Sequence, residues 1–315
     1  MPMKLWKSRK NTLKSDKMMH RHFARLIWVL LQWPLWFTLS NVSIADTSSQ
    51  TSPFDPKITL VYGYLNQGGI RGSSGEFSDY VYDFQVQNAL GYFGYTQWNL
   101  DWYNVDQLPF GNGQDQPINH LHKMKLGGKL SKLLNDKMRW INVIGASSAY
   151  EAEMDDSYSI NLRSFVMYQY HSDLTLLAGA MYNFHPVRSR FYPIVGAAYR
   201  ANAKQGLSAV IGFPRLFVAY GLSEHWKVSS GVSYRQFMAK LANDSTIEQQ
   251  GYVELQSWKG DVMLSYQPDA HWRVDVFGHY SADYRFAFYN RYGNRQDQYK
   301  VQPSWGGGMK LHYQF

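Results

Sequence analysis

The sequence predicts an all-β protein, a single antiparallel transmembrane β-barrel of about fourteen strands, with twelve as the alternative count. Three observations carry that prediction. The run that ends at Phe315 alternates strictly, with Trp305, Gly307, Met309, Leu311, Tyr313 and Phe315 on one face and Ser304, Gly306, Gly308, Lys310, His312 and Gln314 on the other. A period of two places successive side chains on opposite sides of a pleated sheet. Aromatic residues are abundant (24 Tyr, 17 Phe, 11 Trp) although the mean hydropathy is negative. A helical membrane protein needs uninterrupted apolar segments of about 20 residues, whereas a barrel needs an apolar side chain only at every second position. Finally, the chain contains no cysteine. Disulfides, thiolate catalysis and zinc–sulfur sites are therefore excluded, and the sheet must hold itself together.

Residues 1–45 have the form of an export signal: a basic start, an apolar stretch from Leu26 to Leu39, and small residues at Ser43 and Ala45 before Asp46. Cleavage is expected near Ala45. The apolar stretch is too short for a membrane anchor and Pro34 interrupts it. The long basic start leaves Met18 and Met19 as alternative first residues to Met1. This segment carries eight Lys or Arg and one acid, so the remainder holds 24 basic against 23 acidic residues. The basic character of the whole chain thus belongs to the leader, and a nucleic-acid partner, which needs a basic face on the folded domain, is not expected.

Residues 46–57 are expected to form a short polar periplasmic tail and residues 58–315 the barrel. Ile58, Leu60, Tyr62 and Tyr64 alternate with Thr59, Val61 and Gly63. Tyr80, Tyr82, Phe84 and Val86 alternate with Asp79, Asp83, Gln85 and Gln87. Tyr92, Trp98, Leu100 and Trp102 oppose Gln97, Asn99 and Asp101, which predicts that the aromatic set faces lipid. A weak repeat follows, in which a turn precedes Trp or Leu and a Gly comes five or six residues later. It runs Trp140 to Gly145, Leu174 to Gly179, Leu207 to Gly212, Trp226 to Gly231 and Trp272 to Gly278. Each is expected to start an outward-going strand at a short turn, with its aromatic at headgroup level. The segments 207–212 and 215–221 form a short hairpin around Pro214. Longer connections are expected at 66–76, 104–117, 154–156, 185–190, 240–248 and 283–302.

The closing Tyr313-Gln314-Phe315 resembles the C-terminal signal of Gram-negative outer-membrane barrels, and with the turn-Trp strands the region resembles uncharacterised, porin-like families of that class. The resemblance implies an outer-membrane location, with both termini periplasmic. The partners it implies are the barrel-assembly machinery, acting on Tyr313 and Phe315, and outer-membrane lipid and lipopolysaccharide. It carries over no functional residue and implies no cofactor.

Candidate chemistry divides among four places. Polar faces turned inward place Lys123, Lys125, Lys129, Arg163, Lys227, Arg235, Arg273 and Lys310 in the lumen, against Asp79, Asp83, Asp101, Glu254, Asp261 and Asp275. A Lys or Arg facing lipid at mid-bilayer would cost roughly 2–4 kcal/mol. These charges line either a hydrated pathway for polar or weakly anionic solutes or a closed, internally paired barrel. Glu151, Glu153 and Asp155 share one face and are candidate oxygen ligands for a hard cation, or else a solvated acidic rim. His120 and His122 share the apolar parity of Met124 and Leu126, as a metal pair or as rim residues. His279 and Ser281, with Asp275 and Asp283, have the outline of a nucleophilic triad, although the spacing is simply that of a strand. The function expected is a narrow passive pore, with a structural or surface-interaction barrel as the alternative and a lipid-modifying enzyme third.

Overall fold

A computed structural model describes residues 55–200 and 205–315. The leader and its cleavage position lie outside the described residues. The strands are β1 (Lys57–Gly69), β2 (Glu76–Gln87), β3 (Gly91–Tyr103), β4 (His120–Asn135), β5 (Met138–Tyr150), β6 (Tyr158–Gln169), β7 (Leu174–Phe184) and β8 (Arg190–Arg200). They continue with β9 (Gly206–Phe213), β10 (Arg215–Gly221), β11 (Trp226–Lys240), β12 (Tyr252–Tyr266), β13 (Trp272–Tyr289), β14 (Arg295–Lys300) and β15 (Ser304–Gln314). Every strand from β1 to β13 pairs antiparallel with its sequence neighbour, and β15 pairs with both β13 and β1 to close the ring.

β14 and β15 are two halves of one strand. The pairs Arg285–Lys300 and Ser281–Ser304 lie in a single register against β13, and the bridge Ile70–Val301 continues the Leu65–Gly306 register against β1. Pro303 interrupts the ladder because it has no N–H to donate. The ring therefore has fourteen strand positions, and closure removes every edge along its membrane-spanning part.

Strands β5, β7, β9, β11 and β13 begin where the turn-Trp repeat placed them. Trp140, Trp226 and Trp272 are exposed at that end, and Trp226 and Trp272 each lie 4.6 Å, centroid to centroid, from an aromatic of the next strand, Tyr266 and Tyr313. This forms an aromatic belt at the end bearing the short turns, here called the inner end. Leu60, Tyr62, Ile144, Leu162, Val195, Ile211, Val262 and Val276 are exposed on the outward faces above it, as a lipid-facing band requires. The repeat's first glycine has a packing reason. The inward ring of Tyr92 covers Gly127 and Gly145, and a Cβ at Gly145 would stand 2.4 Å from the Tyr92 hydroxyl.

The face predicted for β3 is reversed. Leu100 and Trp102 are buried inside and Trp98 packs with them, whereas Asp101 and Tyr103 are exposed on the outside. Alternation sets the period of a strand but not which face is wet, and at the outer end the usual polarity is inverted. There an apolar core fills the barrel: Phe77, Leu121, Val253 and Phe286 are fully buried, together with Trp102 and Phe288. The loop 104–119 caps it. Phe110 packs edge-on against Trp102 at 5.3 Å and at a tilt against Phe288 at 5.1 Å, and the Trp102 indole N–H donates to the Ile118 carbonyl at 2.7 Å.

The segment expected as a long loop, 283–302, is instead mostly ladder, with only 290–294 turning. Asp283, at φ 49°, is the extra residue of a bulge opposite Gln256 and Trp258. A bulge shifts the alternation by one, so Tyr284, Phe286 and Phe288 turn inward and complete the outer core.

Candidate channel interior

Beneath the outer core the lumen is polar and charged. Lys123 lies under it, with its ammonium 5.5 Å from the centre of the Phe237 ring. Lys125 pairs with Asp83 at 3.2 Å, and the Thr96 hydroxyl donates to the same carboxylate. Arg235 lies within electrostatic reach of Asp79 and Asp261. The ammonium groups of Lys259 and Lys310 stand 5.5 and 5.2 Å from the centre of the Phe277 ring, so one inward aromatic carries two cations on its π faces.

Toward the inner end a network spans the closing seam. Arg273 donates two hydrogen bonds to Asp275, at 2.7 and 2.8 Å. His312 Nε2 lies 3.0 Å from the second Asp275 oxygen, and its Nδ1 lies 2.9 Å from the Thr59 hydroxyl. Asp275 is fully buried, and a buried carboxylate is tolerated when paired and hydrogen-bonded in this way. The network links β1, β15 and β13, the strands that close the ring.

The opposite wall differs. Strands β6 to β10 carry four arginines, Arg163, Arg190, Arg200 and Arg215, and no Asp or Glu. All four share the inward parity, since Arg163 lies opposite inward Val143 and the outward positions are Leu162, Phe191, Val195, Ile211 and Leu216. Arg163 is exposed to the lumen, and among the described residues its guanidinium hydrogen-bonds only to Met181 Sδ, at 3.7 Å. Of these four, only Arg163 was singled out from the sequence. Arg190 and Arg200 were legible as basic residues beside the outward Phe191 and Tyr199, and Arg215 as one beside the outward Leu216, but all three sit at strand ends, where alternation is hardest to anchor.

Of the other lumen residues named from sequence, Lys129 and Lys227 keep inward parity near the inner end. Asp101 does not line the lumen, as β3 is reversed. Glu254 also leaves the list. It lies on the outer face of β12, opposite to Val253 and Leu255, and is nevertheless fully buried.

The reason is a crossing of strands. Lys240, at the outer end of β11, pairs in parallel with Tyr150 of β5, and the Glu151 N–H donates to the Lys240 carbonyl at 2.9 Å. The outer ends of β11 to β13 thus lean across the mouth behind β6 to β10. The β7–β8 hairpin then packs on their outer face. Glu254 accepts hydrogen bonds from Arg190 and Gln236, and from the Tyr289 hydroxyl at 2.8 Å, while Tyr192 donates to Gln236.

The candidate cation ligands fasten that crossing. Glu151 accepts the Ala242 N–H at 2.8 Å, Glu153 accepts the Asn243 N–H at 3.1 Å, and Asp155 pairs with Lys240 at 2.8 Å. Among the described residues no group of three or more His, Asp or Glu is placed to hold a metal ion. The Lys240 ammonium holds the Asp155 carboxyl below the ordinary carboxylate range, whereas burial pushes Glu151 up.

His120 and His122 sit on the outward face, with His122 Nδ1 2.7 Å from the Tyr95 hydroxyl in an open groove. His279 and Ser281 are buried, but no triad assembles: Asp275 is engaged by Arg273 and His312, Asp283 is turned away by the bulge onto Arg285, and His279 Nδ1 has no hydrogen-bond partner among the described residues.

No protein-family model and no curated protein matches the chain. Solved structures similar to it include an outer-membrane channel from Pseudomonas putida F1, with 9% identity and TM-score 0.43, covering 87% of this chain and 100% of that one. The Pseudomonas putida toluene transporter TodX has 10% identity and TM-score 0.39, covering 84% and 91%. The KdgM porin has 10% identity and TM-score 0.31, covering 82% and 99%.

Proposed function

We propose that the protein is an outer-membrane channel for small polar solutes that prefers anions. The observation that carries this is the wall of β6 to β10, whose inward charges are all arginine. On the opposite wall Asp79, Asp83, Asp261 and Asp275 offset part of the cationic charge, whereas Arg163, Arg200 and Arg215 share their wall with no acid, so the lumen is net cationic. A water-filled interior with a one-signed wall concentrates the opposite ion. The lumen is too polar to hold a lipid chain, and no separate plug domain is present among the described residues.

Liposome swelling tests the proposal. Vesicles containing the purified barrel should admit small sugar acids faster than neutral sugars of the same size. Equal rates, or no swelling, would refute it. A barrel that folds but admits nothing would favour a structural role, a reading to which the filled outer mouth lends its own support.

A further inference from the structure

The way from the charged lumen to the outside is not along the barrel axis. Phe77, Leu121, Val253 and Phe286 occupy the axis at the outer end with no exposed surface, and the loop 104–119 lies over them. A polar solute passing there would have to displace a packed aromatic core.

The side of the barrel is built differently. β9 and β10 have only eight and seven residues, against the roughly 9–11 of a tilted strand that crosses a bilayer. Their tip at Pro214 therefore rises no higher than the outer headgroups. Above it, the ladder of β8 toward β9 stops at Val195–Phe213, and that of β11 toward β10 stops at Ser233–Arg215. Residues 190–194 of β8 and 234–239 of β11 are two edges with no strand between them.

Among the described residues the contacts across this gap are between side chains: Tyr192 with Gln236, Arg190 with Glu254, the Arg188 guanidinium on the Tyr289 hydroxyl at 3.3 Å, the His185 ring 5.6 Å from that of Tyr252, and Val187 and Met238 both against the cluster of Tyr252, Ala287 and Tyr289. The contact is imperfectly satisfied, since Arg190 Nε and His185 Nε2 are buried without a hydrogen-bond partner among the described residues. A side-chain contact of this kind separates at lower cost than a strand ladder or an aromatic core.

We infer that solutes enter sideways, at headgroup level over the β9–β10 hairpin, and that the β7–β8 hairpin is the movable cover of this entrance. The inference rests on the channel reading. It adds a route whose polar lining, Arg190, Tyr192 and Arg215, leads to Arg163, and it fits small anions rather than lipids.

The chain has no cysteine, so a covalent lock can be placed selectively. Val187→Cys with Met238→Cys, joined by a short cleavable bis-thiosulfonate linker, should abolish conductance in planar bilayers, and dithiothreitol should restore it. Each single variant with the reagent should conduct as the parent does. Glu254→Gln, verified as folded by heat-modifiable migration, should raise the open fraction severalfold. If the parent conducts and the linked protein conducts equally, the side entrance is wrong while the channel reading survives. If neither the parent nor Glu254→Gln conducts, both fall.

Discussion

Phe286 shows how much one residue depends on a neighbour far from it in kind. It faces inward because Asp283 adopts a left-handed conformation and shifts the alternation of β13, and it then packs against Phe77, Trp102 and Tyr284. Phe286→Ala should cost about 3–5 kcal/mol, the usual range for a large aromatic removed from a packed core, measured by reversible denaturant unfolding in detergent. A loss below about 1 kcal/mol would mean that the outer core is loosely packed. His185 gives a pH signature. Its Nδ1 accepts the Val187 N–H at 3.2 Å, which fixes the neutral ring with its proton on Nε2. Burial lowers its pKa to about 4 from 6.5, opposed by Glu254 on β12 and aided by Lys123 on β4, while the Tyr252 ring packs against it. Because the folded value is depressed, the unfolded hairpin binds the extra proton between pH 6.5 and 4. The contribution is therefore present above about 6.5 and lost as the pH falls toward 4. Hydrogen-exchange protection at 184–190, corrected for intrinsic rates, should fall over that window and become flat in His185→Asn. Unchanged protection in the parent would contradict the assignment.

Among the elements, the closing strand and the β5–β11 crossing make the clearest demands. Tyr313 packs on Trp272 and lies 4.8 Å from Phe315, and the Phe315 N–H donates to the Pro56 carbonyl at 3.2 Å. Replacing Phe315 with Asp should reduce membrane insertion and leave unfolded protein, read as loss of the heat-modifiable band, because the last strand must pair on both sides to close the ring. Normal insertion would count against this. Asp155→Asn should loosen the crossing by removing the anionic partner of the buried Lys240 ammonium, which keeps only its hydrogen bond to Asn243, seen as faster proteolysis within 241–251. Acid should act likewise, because the depressed Asp155 pKa places its contribution above the ordinary carboxylate range and removes it as the pH falls through the folded value. Strand starts were legible in the sequence because Trp140, Trp226 and Trp272 follow turns and mark one membrane interface. The sense of β3 was not, since Trp98, Leu100 and Trp102 satisfy a lipid face and an internal core equally well. Nor was the role of Glu151, Glu153 and Asp155, because their partners at 240–243 lie some ninety residues away.

For the whole molecule, the barrel and its fourteen strand positions could be read from alternation and turn chemistry, which are local. The leaning of β11 onto β5 could not, since it follows from the shortness of β9 and β10 acting at a distance: the wall drops, β11 loses its partner, and Glu254 changes from a lumen charge to the anchor of a cover. The candidate site was thus legible in its charges and illegible in its compensation. Lys125, Arg235 and Arg273 have acidic neighbours within reach, whereas Arg163 and Arg215 stand on a wall without acids. If this arginine wall sets the selectivity of a conducting barrel, the reversal potential of single channels under a salt gradient must report it. The parent should give an anion-selective potential, reduced toward zero by Arg163→Gln with Arg215→Gln and reduced far less by Arg273→Gln, whose charge is already offset by Asp275. A cation-selective potential, or one that the Arg163 and Arg215 substitutions leave unchanged, would contradict this role of the wall.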